Sequence, residues 1–370
     1  MAITLLYQKI VGDIIKLINK GKLPQNSQIP SITEIIKKYK VSHITALRAF
    51  NELASKGYIF KLEGRGYFVK KVNKSSKRNK LLNTIACIIR PIRPVDLYDN
   101  YFHEITFGME SECTRNKFNI FLPHCIEVMI NKDLSRNMNA LNSIKYSIAE
   151  LEDKVDGYIL DEGIPDSLIA EVIKNTKPMV LVNRASDVNI DSVSPDNIDG
   201  ATQSVNMALN LKYTHFAIYY HPDSRNHAER FDGYIKTLDA HGIPEKNILI
   251  KEADREKTLV IDEMLEYRKK IKAKNSRNRL AVLSTSDSFA RDVCDRAAVL
   301  KIRVPEELGI VTFCAKKYSY YKEPIITSMK IDPLAIGEKT VQILIEKMHE
   351  NITHPENYRV PMTVLMGKTL

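Results

Sequence analysis

PSITEIIKKYKVSHITALRAFNELASKGYIFKLEGRGYFV, residues Pro30 to Val69, decides how this chain reads. Ser31-Ile32-Thr33-Glu34 is a capping box, in which the Ser31 hydroxyl accepts from the Glu34 backbone while the Glu34 carboxylate accepts from the Ser31 N–H. A helix therefore starts at Ser31 and ends near Tyr39. Ser42 supplies a second N-cap, and Ala46, Ala49, Phe50 and Leu53 recur behind it at helical spacing. Two short helices around a tight turn predict a helix-turn-helix. Burying that apolar stripe leaves Ser42, His43, Thr45, Leu47, Arg48 and Asn51 on or near the outward side, as in a helix that reads base edges in a major groove. Gly57 ends the helix, and Tyr58 to Leu62 and Tyr67 to Val69 have strand propensity. Glu63-Gly64-Arg65-Gly66 between them is a turn, so a β-hairpin wing carries Arg65 at its tip.

Charge agrees with that reading. The chain has 370 residues, is 44% hydrophobic and carries a net charge of +10, long enough for two or three domains with their own cores. Residues 1–80 hold 17 Lys+Arg against 4 Asp+Glu, a net of +13 that leaves −3 on residues 81–370. A positive field confined to one end suits a phosphate backbone. Leu6, Ile10, Ile14, Leu17 and Ile18 form a further apolar stripe, interrupted by Lys9, Asp13 and Lys16. That pattern fits a first helix of the same domain and neither a secretory signal nor a membrane span. Five cysteines without C-x-x-C spacing fit a reducing cytoplasm, and neither they nor the nine histidines show metal-ligand spacing, so no metal or other cofactor is expected. Lys70 to Lys80 is cationic and without apolar periodicity, a linker.

From Leu82 onward strands and helices alternate. Strands are predicted at Thr84–Ile89, Phe118–Leu122, Gly157–Leu160, Met179–Val182, Phe216–Tyr220, Ile248–Lys251 and Leu280–Ser284. The helices between them are Phe102–Asn116, Leu141–Leu151, Ser167–Lys174, Thr202–Leu211, Arg230–His241, Lys257–Lys270 and Phe289–Leu300. Short apolar runs alternating with helices imply parallel sheets covered on both faces, here an α/β fold of two doubly wound lobes behind the winged helix-turn-helix.

Two family resemblances follow from these motifs. Leu23-Pro24, Ile29-Pro30-Ser31, Val41-Ser42, Thr45, Ala49, Leu53, Gly57-Tyr58-Ile59 and Gly64-Arg65-Gly66-Tyr67-Phe68-Val69 succeed one another as in the winged domain of the gluconate-repressor (GntR) family. That likeness implies DNA contacts from Ser31, Thr33, Ser42, His43, Thr45, Leu47, Arg48, Arg65 and Gly66. Relatives of this kind often read DNA with arginines where this chain has Thr33, His43 and Leu47, so base readout differs, and Arg48 and Arg65 remain as forks for guanine or phosphate.

Asp156-Gly157-Tyr158-Ile159-Leu160, Pro178 to Arg184, Asp196-Asn197 with Gly200, Arg230 with Gly233-Tyr234, Val304 to Val311 and Ile336-Gly337 resemble the effector domain of the lactose/galactose-repressor (LacI/GalR) family, itself similar to periplasmic sugar-binding proteins. The implied layout is a winged domain at 1–70, a basic linker at 71–82 and an effector and dimerisation domain at 83–370. One lobe takes about 83–190 and 316–351, the other about 191–313 and 352–370. Ligands of such folds sit in the cleft beyond the carboxyl ends of the strands. The residues so placed are Asp99, Tyr101, Phe102, Asp161, Asn183 and Arg184 in the first lobe and Arg230, Ser286, Asp287 and Phe313 in the second. Aromatic faces beside forked and carboxylate groups suit a monosaccharide or sugar derivative, whose C–H face stacks while its hydroxyls pair. Cys314 stands where the family often has an acidic residue.

The expectation is a cytoplasmic repressor of carbohydrate-utilisation genes, a homodimer on double-stranded, near-palindromic operator DNA, released or recruited by a small sugar. Two rival classes are an enzyme-like sugar-processing domain fused to a winged helix, and an architectural DNA binder without effector. No G-x-x-x-x-G-K-[ST], G-x-G-x-x-G or G-x-S-x-G motif supports an enzyme.

Overall fold

Ser31 caps its helix as its sequence dictates: its hydroxyl accepts from Glu34 N at 3.3 Å and its own N–H donates to Glu34 Oε2 at 2.7 Å. The computed structural model describes residues 2–19, 21–24, 26–55, 58–62, 66–69, 83–89, 101–123, 138–174, 177–253, 256–314, 325–349 and 355–370. They fall into two compact units, residues 1–79 and 80–370.

The first unit contains α1 (Ala2–Asn19), α2 (Ile32–Tyr39), α3 (His43–Ser55) and the antiparallel pair β1 (Ile59–Leu62) and β2 (Gly66–Val69). Lys40 adopts the left-handed conformation at φ 51° and closes α2 by donating its N–H to Ile36 O. Ser42 then opens α3, its Oγ accepting from Thr45 N at 3.3 Å. Ile10 and Ile14 of α1, Ile35 of α2, and Ala46, Ala49, Phe50 and Leu53 of α3 are buried together with Ile59 and Val69 of the wing. Tyr67 meets Phe50 edge to face at 4.8 Å, which fixes the hairpin against α3. Gly57, Glu63, Gly64 and Arg65, together with the linker, lie outside the described residues.

The second unit holds two six-stranded sheets. The first runs in the order β13-β7-β6-β5-β3-β4 and is parallel throughout, from β3 (Thr84–Ile88), β4 (Asn119–Phe121), β5 (Gly157–Leu160), β6 (Met179–Val182), β7 (Asp191–Pro195) and β13 (Asn357–Val360). The second, β14-β12-β11-β10-β8-β9, combines β8 (His215–Tyr220), β9 (Ile248–Glu252), β10 (Leu280–Ser284), β11 (Leu308–Cys314), β12 (Thr327–Lys330) and β14 (Thr363–Leu365). Only β14 in it is antiparallel to its neighbour.

Central strands are buried along their whole length, as doubly covered parallel strands must be. α4 (Tyr101–Arg115) and α11 (Pro333–His349) cover one face of the first sheet, with α5 (Met138–Leu151) and α6 (Asp166–Val172) on the other. α7 (Asn197–Asn210) and α8 (Arg225–Ala240) cover the second sheet opposite α9 (Lys257–Lys274) and α10 (Asp287–Val299). α4 and α11 touch backbone to backbone: a Cβ on Gly337 would lie 2.0 Å from Ile105 O, and one on Gly108 2.3 Å from Leu334 O. Side chains at either position would push the helices apart.

The lobes exchange segments differently from the layout implied by family likeness. Strand 191–195 belongs to the first sheet and not the second lobe, 327–330 to the second and not the first, and 357–360 to the first and not the second. β7 and β12 are polar strands that apolar periodicity does not reveal. Ser192 and Ser194 are fully buried because β13 satisfies their hydroxyls: Ser192 Oγ donates to Asn357 Oδ1 at 2.5 Å, and Arg359 Nη1 donates to Ser194 Oγ at 3.1 Å. Four helices also start two or more residues earlier than predicted, α5 at Met138, α7 at Asn197, α8 at Arg225 and α10 at Asp287. The chain therefore passes between the lobes near Asp196, near Asp332 and near Pro361.

Candidate functional site

In the first unit, the N-terminal turn of α3 presents Ser42, His43 and Ile44 to solvent, with Arg48 and Asn51 further along the same outward side. Arg48 lies over the Tyr7 ring at 4.3 Å, so α1 steers its guanidinium. Leu47 is half-buried. Thr45 is not outward: it is 6% exposed, and its hydroxyl pairs with Ser42 Oγ at 2.9 Å. Ile44 takes the outward place instead, at 78% exposure, as helical geometry one residue earlier requires. Ser31 and Thr33 are exposed on α2, but the Ser31 hydroxyl is committed to Glu34, whose carboxyl is held below its usual pKa by the Ser31 N–H and hydroxyl. Gly66 starts β2 at φ 97°, a conformation open to glycine, and Arg65 lies outside the described residues.

The second unit has an open cleft of about 230 Å³ where the carboxyl ends of both sheets meet. Tyr101, Phe102, Glu162 and Asn183 line it from the first lobe, and Asn226, His227, Arg230, Thr285, Ser286, Asp287 and Phe313 from the second. Seven of the ten expected ligand residues meet here. Asp99 lies outside the described residues. Asp161 is 3% exposed, accepts from Gly163 N at 2.7 Å, and faces an adjoining recess with Ile89, Ile105 and Met109. Arg184 is not in the cleft lining. Its guanidinium donates to the carbonyls of Glu162, Ile164 and Ala185 and to Asp166, which makes it a clasp for the loops beneath.

Arg230 sits inside α8, not at its start, and is 7% exposed. Its plane rests 4.4 Å from the Phe313 ring centre, Nε donates to Asn197 Oδ1 at 2.8 Å and Nη1 to Thr285 O at 3.0 Å. Among the described residues Nη2 has no hydrogen-bond partner. Burial lowers the Arg230 pKa from the ordinary arginine value, against the fields of Tyr101, Tyr234, Glu162 and Glu229.

Opposite it, Tyr101 Oη donates to Asn183 Oδ1 and Asn183 Nδ2 donates to Glu162 Oε2, both at 2.5 Å. Asn183 holds this position at φ 69°, a left-handed conformation that asparagine tolerates better than most side chains. His227 pairs with Thr285 Oγ1 at 2.7 Å, and burial, then the Arg230 charge, push its imidazole down to about 2. It is therefore neutral near pH 7. Asp287 accepts from the Cys314 thiol at 3.7 Å. A guanidinium over an aromatic face, a neutral imidazole, amides and two carboxylates can pair a polyhydroxylated ring through both its donors and its acceptors.

Helix α8 also ties the lobes together. Arg225 makes a bidentate pair with Asp187 at 2.5 and 3.0 Å, Asn226 Nδ2 donates to Asn183 O at 2.7 Å, and Glu229 pairs with Arg359 of β13. A helix that starts only at Arg230 leaves Asn226 and His227 out of the lining, and no sequence pattern singles out Thr285. The spacing Asn226, Arg230, Gly233 from a Ser224 N-cap position carries the signal for the first of these, since those residues share one helix face. Among the described residues no His, Cys, Asp or Glu group could hold a metal ion, and no helix is long and apolar enough to cross a membrane.

Residues 6–69 match the family described as bacterial regulatory proteins, gntR family, and residues 205–370 match the periplasmic binding protein-like domain. The chain is 21% identical over 354 residues to the arabinose metabolism transcriptional repressor of Geobacillus stearothermophilus, covering 93% of this chain and 91% of the relative. It is 24% identical over 287 residues to catabolite control protein A of Priestia megaterium, covering 76% and 80%. Among solved structures, the transcriptional regulator CelR–cellobiose complex is similar with a TM-score of 0.59 at 17% identity, over 89% of this chain and 92% of that one. A LacI family transcriptional regulator from Enterococcus faecium with bound ribose is similar with a TM-score of 0.57 at 19% identity, over 77% and 98%.

Proposed function

From a gntR-type winged helix joined to a periplasmic-binding-protein-like domain, we propose a transcriptional repressor of carbohydrate-utilisation genes whose hold on its operator is set by a small sugar in the cleft of the second unit. The protein is a non-catalytic, cytoplasmic homodimer on a near-palindromic duplex. The Arg230 fork over Phe313, facing Asn183 and Glu162 across the cleft, is the observation that carries the sugar reading. A sugar ring stacks its C–H face on Phe313 and offers adjacent hydroxyls to Arg230, and its remaining hydroxyls pair with Asn183, Glu162 and Asp287. The α3 face with His43, Ile44 and Arg48 enters the major groove.

A ligand bridging both lobes favours one lobe arrangement, and the dimer passes that preference to the spacing of its two winged domains. Differential affinity limits the effect, since a hundredfold preference for one state moves the equilibrium by about 2.7 kcal/mol. The test is selection of an operator from a random duplex pool with the full chain, then titration of the complex with arabinose, ribose and cellobiose, read by fluorescence anisotropy and calorimetry. The expected result is saturable binding of one sugar with a parallel change in operator affinity. Binding of none of them, or turnover of one, defeats the reading.

A further inference from the structure

The cleft cation is not held alone. Arg359 on β13 grips Glu229 with both terminal nitrogens, Nη1 to Oε2 at 2.7 Å and Nη2 to Oε1 at 2.8 Å. Asn197, the first residue of α7 and fully buried, donates Nδ2 to that same Oε2 at 2.9 Å and to Asn226 Oδ1 at 2.8 Å. Its Oδ1 then accepts from Arg230 Nε at 2.8 Å. α7 and α8 approach closely enough for this because Gly233 has no side chain: a Cβ there would lie 2.7 Å from Ala201 Cβ.

The relay has one polarity. A carboxylate only accepts and a guanidinium only donates, so Glu229 forces the Asn197 amide to turn its N–H groups towards Glu229 and Asn226 and its carbonyl towards Arg230. The opposite orientation sets N–H against N–H at Arg230 and carbonyl against carboxylate at Glu229, both out of water, where an unmade hydrogen bond is most costly. Asn226 adds a second constraint, since its own N–H is held by Asn183 O in the other lobe. A clamp between lobes needs only the Arg359–Glu229 pair. Asn197 between Glu229 and the fork goes further, because it fixes which face of the guanidinium is left for a ligand.

We propose that Asn197 and Glu229, anchored by Arg359, are positioning residues for the Arg230 fork, so that the grip on ligand and the meeting of the two lobes are set by one hydrogen-bonded relay. The relay rests on the reading of Arg230 as a ligand contact only for its consequence, not for its geometry, and the test separates the two. In the full chain labelled with 15N-arginine, the Arg230 Nε–H signal, assigned by its loss in Arg230→Lys, is protected from solvent exchange. Glu229→Gln speeds that exchange by about tenfold or more, as the loss of one charge-assisted restraint implies.

The same substitution weakens binding of whichever of arabinose, ribose and cellobiose the wild type binds by roughly tenfold. Unchanged exchange in Glu229→Gln overturns the proposal and leaves a plain clamp. If no sugar binds the wild type, the function proposed above fails while the exchange measurement still decides the relay. Should Glu229→Gln not fold, Arg359→Lys keeps a cation without the fork and is expected to lose the same protection; full protection there overturns the relay.

Discussion

The outward face of α3 and the cleft face of α8 draw on the same kinds of side chain, and they differ in what those side chains touch. On α3, His43, Ile44 and Asn51 stand in solvent, and Arg48 is steered by a single ring. On α8, Arg225, Asn226, His227, Glu229 and Arg230 are each bonded to another loop or lobe. A surface of the first kind meets its partner residue by residue, so its contributions add. The second kind is one network, in which each residue sets the geometry of the next.

The largest effect expected is that of Arg230→Ala on sugar binding. Two charge-assisted bonds at about 1.5 to 3 kcal/mol each imply a loss of a hundredfold or more, read by calorimetry. Sugar response at wild-type concentrations would misplace the cleft. His227 gives the next. Its folded-state pKa of about 2 lies well below the ordinary 6.5, so the unfolded chain takes up a proton that the folded one refuses. Stability is full above pH 6.5 and falls as pH drops from 6.5 towards 2, by up to about 1.4 kcal/mol per pH unit. Denaturant melts at pH 7 and pH 5 should show a smaller loss in His227→Gln than in wild type, and equal losses would show that this imidazole does not stay neutral.

On the DNA side, Arg48→Ala should weaken operator binding about tenfold and, if it touches phosphate alone, reduce the salt slope by roughly one. Unaltered affinity across a salt series would remove α3 from the interface. Ser31→Ala removes the hydroxyl of the capping box and should lower the stability of the first unit by about 1 kcal/mol, measured by thermal melting. The smallest signal bears most directly on the contrast between the two faces. His43→Ala with Arg48→Ala should add within about 0.5 kcal/mol in operator affinity, whereas Asn197→Ala with Arg230→Ala should fall short of additivity in sugar affinity by more than that. Additivity at both places would mean the α8 bonds are incidental.

What can be read from sequence follows the same division. The capping box, the second cap at Ser42 and the apolar stripe of α3 are local patterns, and the first unit is built from them. Polarity alone misplaces Thr45, because it does not reveal that a hydroxyl is satisfied inside, here by Ser42. The alternation of apolar runs exposes the parallel sheets, but β7 and β12 escape it because their buried side chains are mostly hydroxyls paired by other strands or backbone. The start of α8 is hidden for a related reason. Arg225 to Glu229 shows little apolar periodicity, since that turn faces a polar cleft and another lobe. Glu229 and Arg359 stand 130 positions apart, a pairing that no spacing rule reaches.

The three passages of chain between the sheets, near Asp196, Asp332 and Pro361, have a mechanical consequence. Two bodies joined by one strand behave as a ball joint and can swing and twist in any direction. Joined at three points that are not free to slide, they lose the free twist of a single tether, and any movement of one lobe must bend all three passages at once. α8, whose bonds bridge the gap, acts as the latch on that movement.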